Sequence, residues 1–388
     1  MTRYALVAVV LASLLVGCSD DDGDGDAGAS STTTSKAADG STSTSAPADA
    51  PEYFVFNGQG NNLAAYDPDS GEHRLIVENA DTDPENGRDI NGQICFFPDE
   101  PGRFIAGEDT GQPNPPAGWG IFEVSGATLE DLSVEQVGKM TPTYQTENPE
   151  NIGCGFLSDG RFVTSAPGNQ VNGPPDGELI MWFPPIEGTE VPFCKIDVTL
   201  GTAGTIYVDD DDNIYIASAR SSPGVYRFSG PFPTSADAAG GCGKTDPTGA
   251  PMADEVQREL FIEPNAKVST PVAVMGSPDG TFFVSGVITG VIAEYDADGS
   301  FIRTVLEPPA GEQLGAEPFS TGTPFGLGFG PDGSLYYADL GIVIGDGIGP
   351  GPETGTVRRI GFTDGEPDAP ETLDEGLDYP DGIGIYLP

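Results

Sequence analysis

The chain has 388 residues, of which 55 are glycine and 36 are proline, and this share of helix-breaking residues argues against a mainly helical fold. Its 61 acidic and 16 basic residues give a net charge of −45, which repels nucleic-acid phosphates and argues against a nucleic-acid partner. A single histidine, His73, leaves no histidine dyad, Ser-His-Asp triad or histidine-rich zinc site to consider.

Residues 1–18 predict an export signal that ends in a lipid attachment site. Arg3 precedes an apolar run, and the ending Leu15-Val16-Gly17-Cys18 resembles the lipobox of bacterial lipoproteins, in which the cysteine thiol is lipidated. A transmembrane anchor is the alternative, but the run is shorter than the roughly 20 residues that a spanning helix needs. We therefore expect an extracytoplasmic protein that is held at the bacterial cell membrane only through the lipid on Cys18.

Residues 19–52 predict a disordered linker that is acidic and rich in serine, threonine and glycine. The segment contains no large apolar side chain, so nothing in it offsets the entropy lost on ordering. A flexible chain of this length spans on the order of 30 Å. The folded part of the protein can thus stand clear of the membrane surface.

From residue 53 onward, a unit of two apolar strands joined by an acidic or glycine-rich turn recurs along the chain. The clearest copies lie at 270–286 and 323–339, and weaker copies lie at 91–107, 150–166 and 202–218. A sixth copy begins at Tyr379 and reaches the C-terminus after one strand. Equivalent positions in successive units are 60, 52, 68, 53 and 56 residues apart, which leaves room for four strands in each unit.

The two ends of this repeat region complement each other. The segment after the linker, PEYFVFNGQGNNLAAYDPDSGEHRLIVEN, contains the later strands of a unit and lacks the first strand, which the C-terminal segment supplies. The sequence therefore predicts an all-β fold over residues 53–388, a six-bladed β-propeller closed by pairing of the N- and C-terminal strands. A two-sheet sandwich is the alternative, but it does not predict a constant two-strand signature at this interval.

Four of the repeat segments, PDGSLYYAD, PDGTFFVSG, AEYDADGSFIRTV and YPDGIGI, resemble the repeats of NHL-type propellers and of the senescence-marker and gluconolactonase family. The resemblance covers most of residues 53–388. It implies the propeller fold, and it implies an activity in which a divalent cation at the mouth of the central channel binds a lactone and polarises its carbonyl. Calcium or another divalent cation would then be the cofactor.

The resemblance also implies which residues would hold that cation. Asp339, at the end of LYYAD, matches the aspartate ligand of the family, whereas Phe325 stands where the family has asparagine, and the early glutamate has no counterpart. Asp381 is the acidic residue at the channel-mouth position of the six units, and Asn91 and Asn151 lie within one residue of that position. Both aspartates also have a structural interpretation, in which Asp339 caps a loop and Asp381 initiates a turn.

Three insertions rich in glycine and proline, residues 109–118, 166–178 and 340–355, join second to third strands and are expected on the same face as this mouth. Such loops would wall a cavity over the channel, although neutral loop growth is an alternative. Residues 231–257 lengthen a connection between a third and a fourth strand, on the opposite face.

Beyond Cys18, four cysteines remain, and in an exported protein they are expected to form disulfides. Cys95 and Cys154 lie on the first strands of neighbouring blades, one residue out of step, and therefore on sheet faces that can meet. This favours a Cys95–Cys154 bridge, which leaves Cys194 to pair with Cys242 in the insertion at 231–257. Four reduced, buried thiols are the alternative.

Two functions follow from these observations. The first is a lipid-anchored propeller, expected to be a monomer, that binds a small molecule, glycan or protein at its channel mouth without turnover. The second is a cation-dependent hydrolase of lactones or esters that uses Asp339 and Asp381 as ligands. The absence of the family's asparagine and glutamate favours the first.

Overall fold

The computed structural model describes residues 51–60, 62–78, 90–108, 118–140, 152–168, 176–287, 289–308, 323–344, 348–351 and 353–388. These residues form β-strands and turns, together with one short 3-10 helix at Ala238–Gly240. In the described ranges, no helix is long and apolar enough to cross a membrane. The predicted signal, the lipid-attachment residue Cys18 and the linker up to residue 50 lie outside the described residues.

The strands are arranged in six blades, as the repeat spacing predicts; five are four-stranded antiparallel sheets, and blade three has two further short strands at its edge. The first half of the chain supplies three strands of blade one, β1 (Phe54–Gln59), β2 (Asn62–Tyr66) and β3 (His73–Val77). Blade two contains β4 (Asn91–Phe97), β5 (Glu100–Glu108), β6 (Gly118–Ser125) and β7 (Ser133–Met140). The four repeat strands of blade three are β8 (Cys154–Phe156), β9 (Phe162–Ala166), β10 (Gly177–Trp182) and β11 (Phe193–Leu200).

The second half supplies blades four to six and the strand that closes the ring. Blade four contains β12 (Thr202–Val208), β13 (Ile214–Ala219), β14 (Gly224–Ser229) and β17 (Gln257–Ile262), and between β14 and β17 lie the short strands β15 (Lys244–Thr245) and β16 (Pro251–Met252). Blade five contains β18 (Pro271–Gly276), β19 (Phe282–Gly286), β20 (Ile292–Tyr295) and β21 (Phe301–Leu306). Blade six contains β22 (Pro324–Phe329), β23 (Leu335–Asp339), β26 (Gly355–Ile360) and β29 (Glu371–Leu377), its connections form two separate hairpins, β24 (Ile342–Ile344) with β25 (Ile348–Pro350) and β27 (Phe362–Thr363) with β28 (Glu366–Pro367), and the closing strand is β30 (Pro380–Tyr386).

The last strand of the chain is the innermost strand of blade one. β30 pairs antiparallel with β1, with Phe54 opposite Tyr386 and Asn57 opposite Ile383, and blade one has the order β3-β2-β1-β30. The prediction that the chain ends pair is thus confirmed. Because the C-terminal strand belongs to the first blade, the ring is closed by backbone hydrogen bonds rather than by side-chain packing alone.

The apolar core is divided among the seams between blades. Six buried clusters occur in the described part, and each joins the facing sides of two neighbouring blades. At the seam of blades one and two, for example, Phe56 packs against Phe96 and Phe104, with ring centroids 6.1 Å apart in both pairs. Apolar side chains point to both faces of the sheet in each blade, and the neighbouring blades bury both faces. The sheets therefore need no helix to cover them.

Both predicted disulfides are confirmed. Cys95 on β4 is bonded to Cys154 on β8, which joins the innermost strands of blades two and three. Cys194 on β11 is bonded to Cys242 in the insertion at 231–257. That insertion also adds the β15–β16 hairpin to the outer edge of blade three, where Lys195 pairs with Met252, an arrangement that the sequence pattern does not predict.

Glycines let the innermost strands approach one another closely. A Cβ built on Gly382 would lie 2.0 Å from the Gly92 carbonyl oxygen, and one on Gly204 would lie 2.1 Å from that of Val272. Real Cβ atoms do not approach backbone oxygens so closely, so a side chain here would push neighbouring blades apart. The glycines therefore set the narrow diameter of the central channel.

Candidate functional site

The central channel is nearly closed along the part that the structure describes. One cavity on its axis has a volume of about 10 Å³, which is close to the room that one water molecule needs. Five of the six blades contribute to its lining, through Gln93, Thr205, Met275, Gly326, Leu327, Asp381 and Ile383. A lactone or sugar does not fit into this cavity.

Gln93 closes the channel from its position on β4. Its Oε1 accepts hydrogen bonds from the backbone amides of Cys154, at 3.1 Å, and Ile206, at 3.0 Å. Its Nε2 donates to the Ile206 carbonyl oxygen at 2.7 Å. One side chain from blade two thus bridges the innermost strands of blades three and four, which makes it part of the floor beneath the mouth.

Sequence reasoning missed Gln93, although a signal was present. Gln93 directly follows Gly92, the channel-mouth position of its unit, and the residues that follow this position in the other five units are all small. They are Gly153, Thr205, Ala273, Gly326 and Gly382. Among these six equivalent residues, the long amide side chain of Gln93 is the one that can reach across the axis of the channel.

Asp381 lines the channel and is bonded to the backbone on both carboxylate oxygens. Its Oδ2 accepts from the amide of Gly92 at 2.7 Å, and its Oδ1 accepts from the amide of Gly382 at 2.7 Å. Gly58 makes room for it, because a Cβ there would lie 3.0 Å from Asp381 Oδ1. Burial raises the pKa of Asp381 to about 7, and the two amide donors only partly oppose this rise.

Asp339 is fully buried at the end of β23. Its Oδ1 accepts hydrogen bonds from the amides of Gly341, at 3.0 Å, and Thr323, at 3.3 Å. Asp339 therefore caps the two chain segments that meet at the mouth end of blade six. These contacts match the structural interpretation of this residue and leave its predicted role as a cation ligand a matter for experiment.

The two asparagines predicted beside these carboxylates are only partly visible. Asn91 is the first residue of β4 and pairs with Gly107 through its backbone, and Asn151 lies outside the described residues. Asn57, which sequence reasoning did not single out, is fully buried on β1 and donates from Nδ2 to the Gly382 carbonyl oxygen at 2.8 Å. Its Oδ1 is buried and accepts no hydrogen bond within the described part.

The described residues do not fit the ligand set that a divalent cation requires. Calcium takes six to eight oxygen ligands, and within the described ranges no group of three or more Asp, Glu, His or Cys residues converges. Asp339 and Asp381 come from neighbouring blades, as predicted, and both oxygens of Asp381 and one of Asp339 accept hydrogen bonds from backbone amides. We therefore derive no reaction step through a metal ion.

The loops expected to wall the mouth are described only at their margins. Residues 109–117 and 169–175 lie outside the described residues, while the third insertion contains a small hairpin formed by β24 and β25. The backbone topology agrees with the predicted class of all three insertions, since each joins the second to the third strand of its blade.

No protein-family model and no functionally curated protein matches this sequence. Among solved structures, a periplasmic gluconolactonase of Pseudomonas aeruginosa is similar, with a TM-score of 0.51 and 11% identity over 87% of this chain and 99% of that one. A gluconolactonase of Xanthomonas campestris has a TM-score of 0.43 and 13% identity, covering 74% and 84% of the two chains. A virginiamycin B lyase from Staphylococcus aureus has a TM-score of 0.44 and 11% identity, covering 84% and 85%. The chain has the six-bladed propeller fold of gluconolactonase-like proteins.

Proposed function

We propose that this protein is an extracytoplasmic, lipid-anchored propeller that binds a small molecule, glycan or protein at its channel mouth without turning it over. The observation that carries the proposal is the state of Asp381, whose two oxygens are both held by backbone amides. A carboxylate used in this way fixes the position of strands β30 and β4. It then serves as part of a rigid platform rather than as a reacting group.

A rigid floor beneath long loops suits a binding protein. Gln93 and the glycine contacts narrow the channel, which gives a ligand at the mouth a fixed floor. Ligand recognition would then depend on the insertions at 109–118, 166–178 and 340–355, because loops on a rigid scaffold vary most freely. With a net charge of −45, the protein favours neutral or cationic ligands over anionic ones.

Export and anchoring complete the proposal. The two disulfides accord with an oxidising compartment outside the cytoplasm. Lipidation of Cys18 would hold the propeller at the membrane, and a Cys18→Ser variant is expected to move from the detergent-soluble membrane fraction to the aqueous fraction. If that variant stays in the membrane fraction, the lipid anchor is wrong.

The second candidate is a divalent-cation-dependent hydrolase of lactones or esters, with Asp339 and Asp381 as ligands and Asn91 and Asn151 nearby. The fold of this chain is similar to that of a periplasmic gluconolactonase, which favours this candidate. It requires the cation to compete with the backbone amides for the carboxylate oxygens.

A hydrolysis screen separates the two candidates. The chain from residue 51 on is assayed against a panel of lactones and esters, with calcium and with a chelator. Binding without turnover predicts no hydrolysis above the uncatalysed rate under either condition. Hydrolysis that the chelator abolishes, and that an Asp339→Ala variant lacks, would establish the hydrolase instead.

A further inference from the structure

Three ionisable side chains meet in the interior between blade three and the insertion at 231–257. Lys195, on β11, donates from Nζ to Glu178 Oε1 and to Asp246 Oδ2, each at 2.7 Å. The side chains of Lys195, Glu178 and Asp246 are 2%, 5% and 2% exposed, respectively. None of the three lines the channel cavity or contacts Asp339 or Asp381, so they are not part of the site described above.

As a plain ion pair this arrangement is unfavourable. Removing two charges from water costs several kcal/mol per ion, roughly as much as their attraction returns, and a second carboxylate adds a further charge. Glu178 Oε2 is also buried without a hydrogen-bond partner in the described part of the chain. Burial raises the pKa of Glu178, and the hydrogen bond and charge of Lys195 oppose this rise.

Three hydrogen-bond donors hold one carboxylate oxygen of Asp246, and Lys195 contacts the other. Its Oδ1 accepts three hydrogen bonds, from the amide of Thr248 at 2.8 Å, the hydroxyl of Thr248 at 2.7 Å and the amide of Ala250 at 2.8 Å. Three fixed donors on one carbonyl oxygen form the kind of pocket that stabilises the oxyanion of a tetrahedral intermediate. Although burial opposes it, hydrogen bonds from Lys195 and these donors lower the pKa of Asp246 to about 2, so the resting state is an ion pair.

We propose that Lys195 and Asp246 form an intramolecular amide bond between Nζ and Cγ, and that Glu178 is the catalytic acid and base of this self-modification. The proton that Lys195 gives up passes to Asp246 Oδ2, which converts the ion pair into a neutral amine and a neutral acid. Nζ then attacks Cγ, and the negative charge develops on Oδ1 among its three donors. Glu178 removes a proton from Nζ and delivers one to Oδ2, the Cγ–Oδ2 bond breaks, and water leaves.

The step balances without any co-reactant, because one amine and one carboxylic acid give one amide and one water and Glu178 returns to its starting state. The fold holds the amine and the acid in contact, whereas in water the two groups would have to meet by diffusion. A held pair of reactants has an effective concentration of about 10⁵ M or more. Ile180 lies opposite Lys195 in the β10–β11 pair, so an apolar side chain stands beside the reacting groups.

The bond would act as a second clamp on the insertion. Lys195 follows Cys194 directly, and the Cys194–Cys242 disulfide already fastens the same segment to β11. The disulfide opens on reduction, whereas an amide does not. The insertion would therefore stay attached to blade three under reducing conditions as well.

Peptide mapping of the full-length chain, purified from membranes, tests this proposal. The chain is reduced, alkylated and digested with trypsin. The amide blocks cleavage after Lys195, so the expected product is peptide 162–220 joined to peptide 245–258, lighter than the two together by one water. Recovery of free peptides 162–195 and 245–258 in full amounts from the wild-type chain would overturn the proposal.

Variants assign the roles. Glu178→Gln keeps the size and one acceptor of the side chain but cannot shuttle a proton, so the branched peptide is expected to be lost, as it is in Lys195→Arg. A matched control is Lys267→Arg, which alters an exposed ion pair with Glu307 and should leave the branched peptide at its wild-type level. Branched peptide at wild-type level in Glu178→Gln would overturn the role of Glu178. The wild-type result decides the proposal even if a variant fails to fold.

Discussion

Asp381 Oδ2 lies 2.7 Å from the backbone nitrogen of Gly92, so a carboxylate near the C-terminus accepts a hydrogen bond from the first strand of the next blade. The contact ties β30 to β4 across the seam between blades one and two. Together with the pairing of β30 and β1, it places the seven residues of β30 at the centre of the ring. The closure of the propeller and the chemistry of its mouth therefore depend on the same short segment.

The first prediction concerns the effect of pH on stability. The pKa of Asp381 is raised from 3.8 to about 7 in the folded protein, so the folded state binds this proton more tightly than the unfolded state does. Its contribution to the free energy of unfolding is therefore fully present below about pH 4 and is lost as the pH rises towards 7. Asp381→Asn removes this dependence.

Chemical denaturation of both proteins at pH 5 and pH 8 checks this result. Relative to Asp381→Asn, the wild type is expected to lose up to about 2.5 kcal/mol between the two values. The comparison between variants cancels the titration of the other carboxylates. An equal change in both proteins would show that Asp381 titrates normally.

The second prediction concerns the close approach of the innermost strands. Gly382→Ala would place a Cβ 2.0 Å from the Gly92 carbonyl oxygen, which is a backbone atom and not the end of a flexible side chain. We expect a loss of about 3 kcal/mol or more in the free energy of unfolding, because overpacking at a fixed backbone cannot relax. Gly102→Ala is the matched control, since its nearest neighbour is 3.5 Å away, and it should change the unfolding midpoint little. Equal effects of the two substitutions would contradict the account of the channel.

The third prediction concerns closure of the ring. Removal of residues 380–388 deletes the innermost strand of blade one and exposes the inner edge of β1. Cooperative thermal unfolding, followed by near-ultraviolet circular dichroism, is expected to disappear. Removal of Leu387 and Pro388 alone, which lie beyond β30, should leave the transition intact. A cooperative transition in the longer truncation would mean that the last strand is dispensable.

The parts of the fold that could be predicted from the sequence are those with a local signal. Alternation of apolar residues and Asp-Gly turns predicts each pair of strands, and the spacing of the units sets the number of blades. The disulfides also followed, because Cys95 and Cys154 occupy nearly equivalent positions in adjacent units. The unit that begins at Tyr379 contains one strand, which predicted that it pairs with the strand that begins near Phe54.

The parts that could not be predicted depend on contacts between distant segments. The side chain of Gln93 bonds to groups 61 and 113 residues away, and no local pattern carries that information. The orientation of Asp381 towards Gly92, rather than towards the open mouth, follows from a bulge in the β1–β30 pair and from the room at Gly58. The addition of β15 and β16 to blade three likewise depends on tertiary pairing alone.

The measurement that tests the account most directly is a calorimetric titration of calcium into the chain from residue 51 on, compared with its Asp339→Asn variant. If Asp339 and Asp381 position backbone, as their amide contacts indicate, wild type and variant should show the same weak, non-saturating heats expected of a highly acidic surface. Saturable binding of one calcium ion to the wild type, lost in Asp339→Asn, would contradict the account and make the channel mouth a cation site.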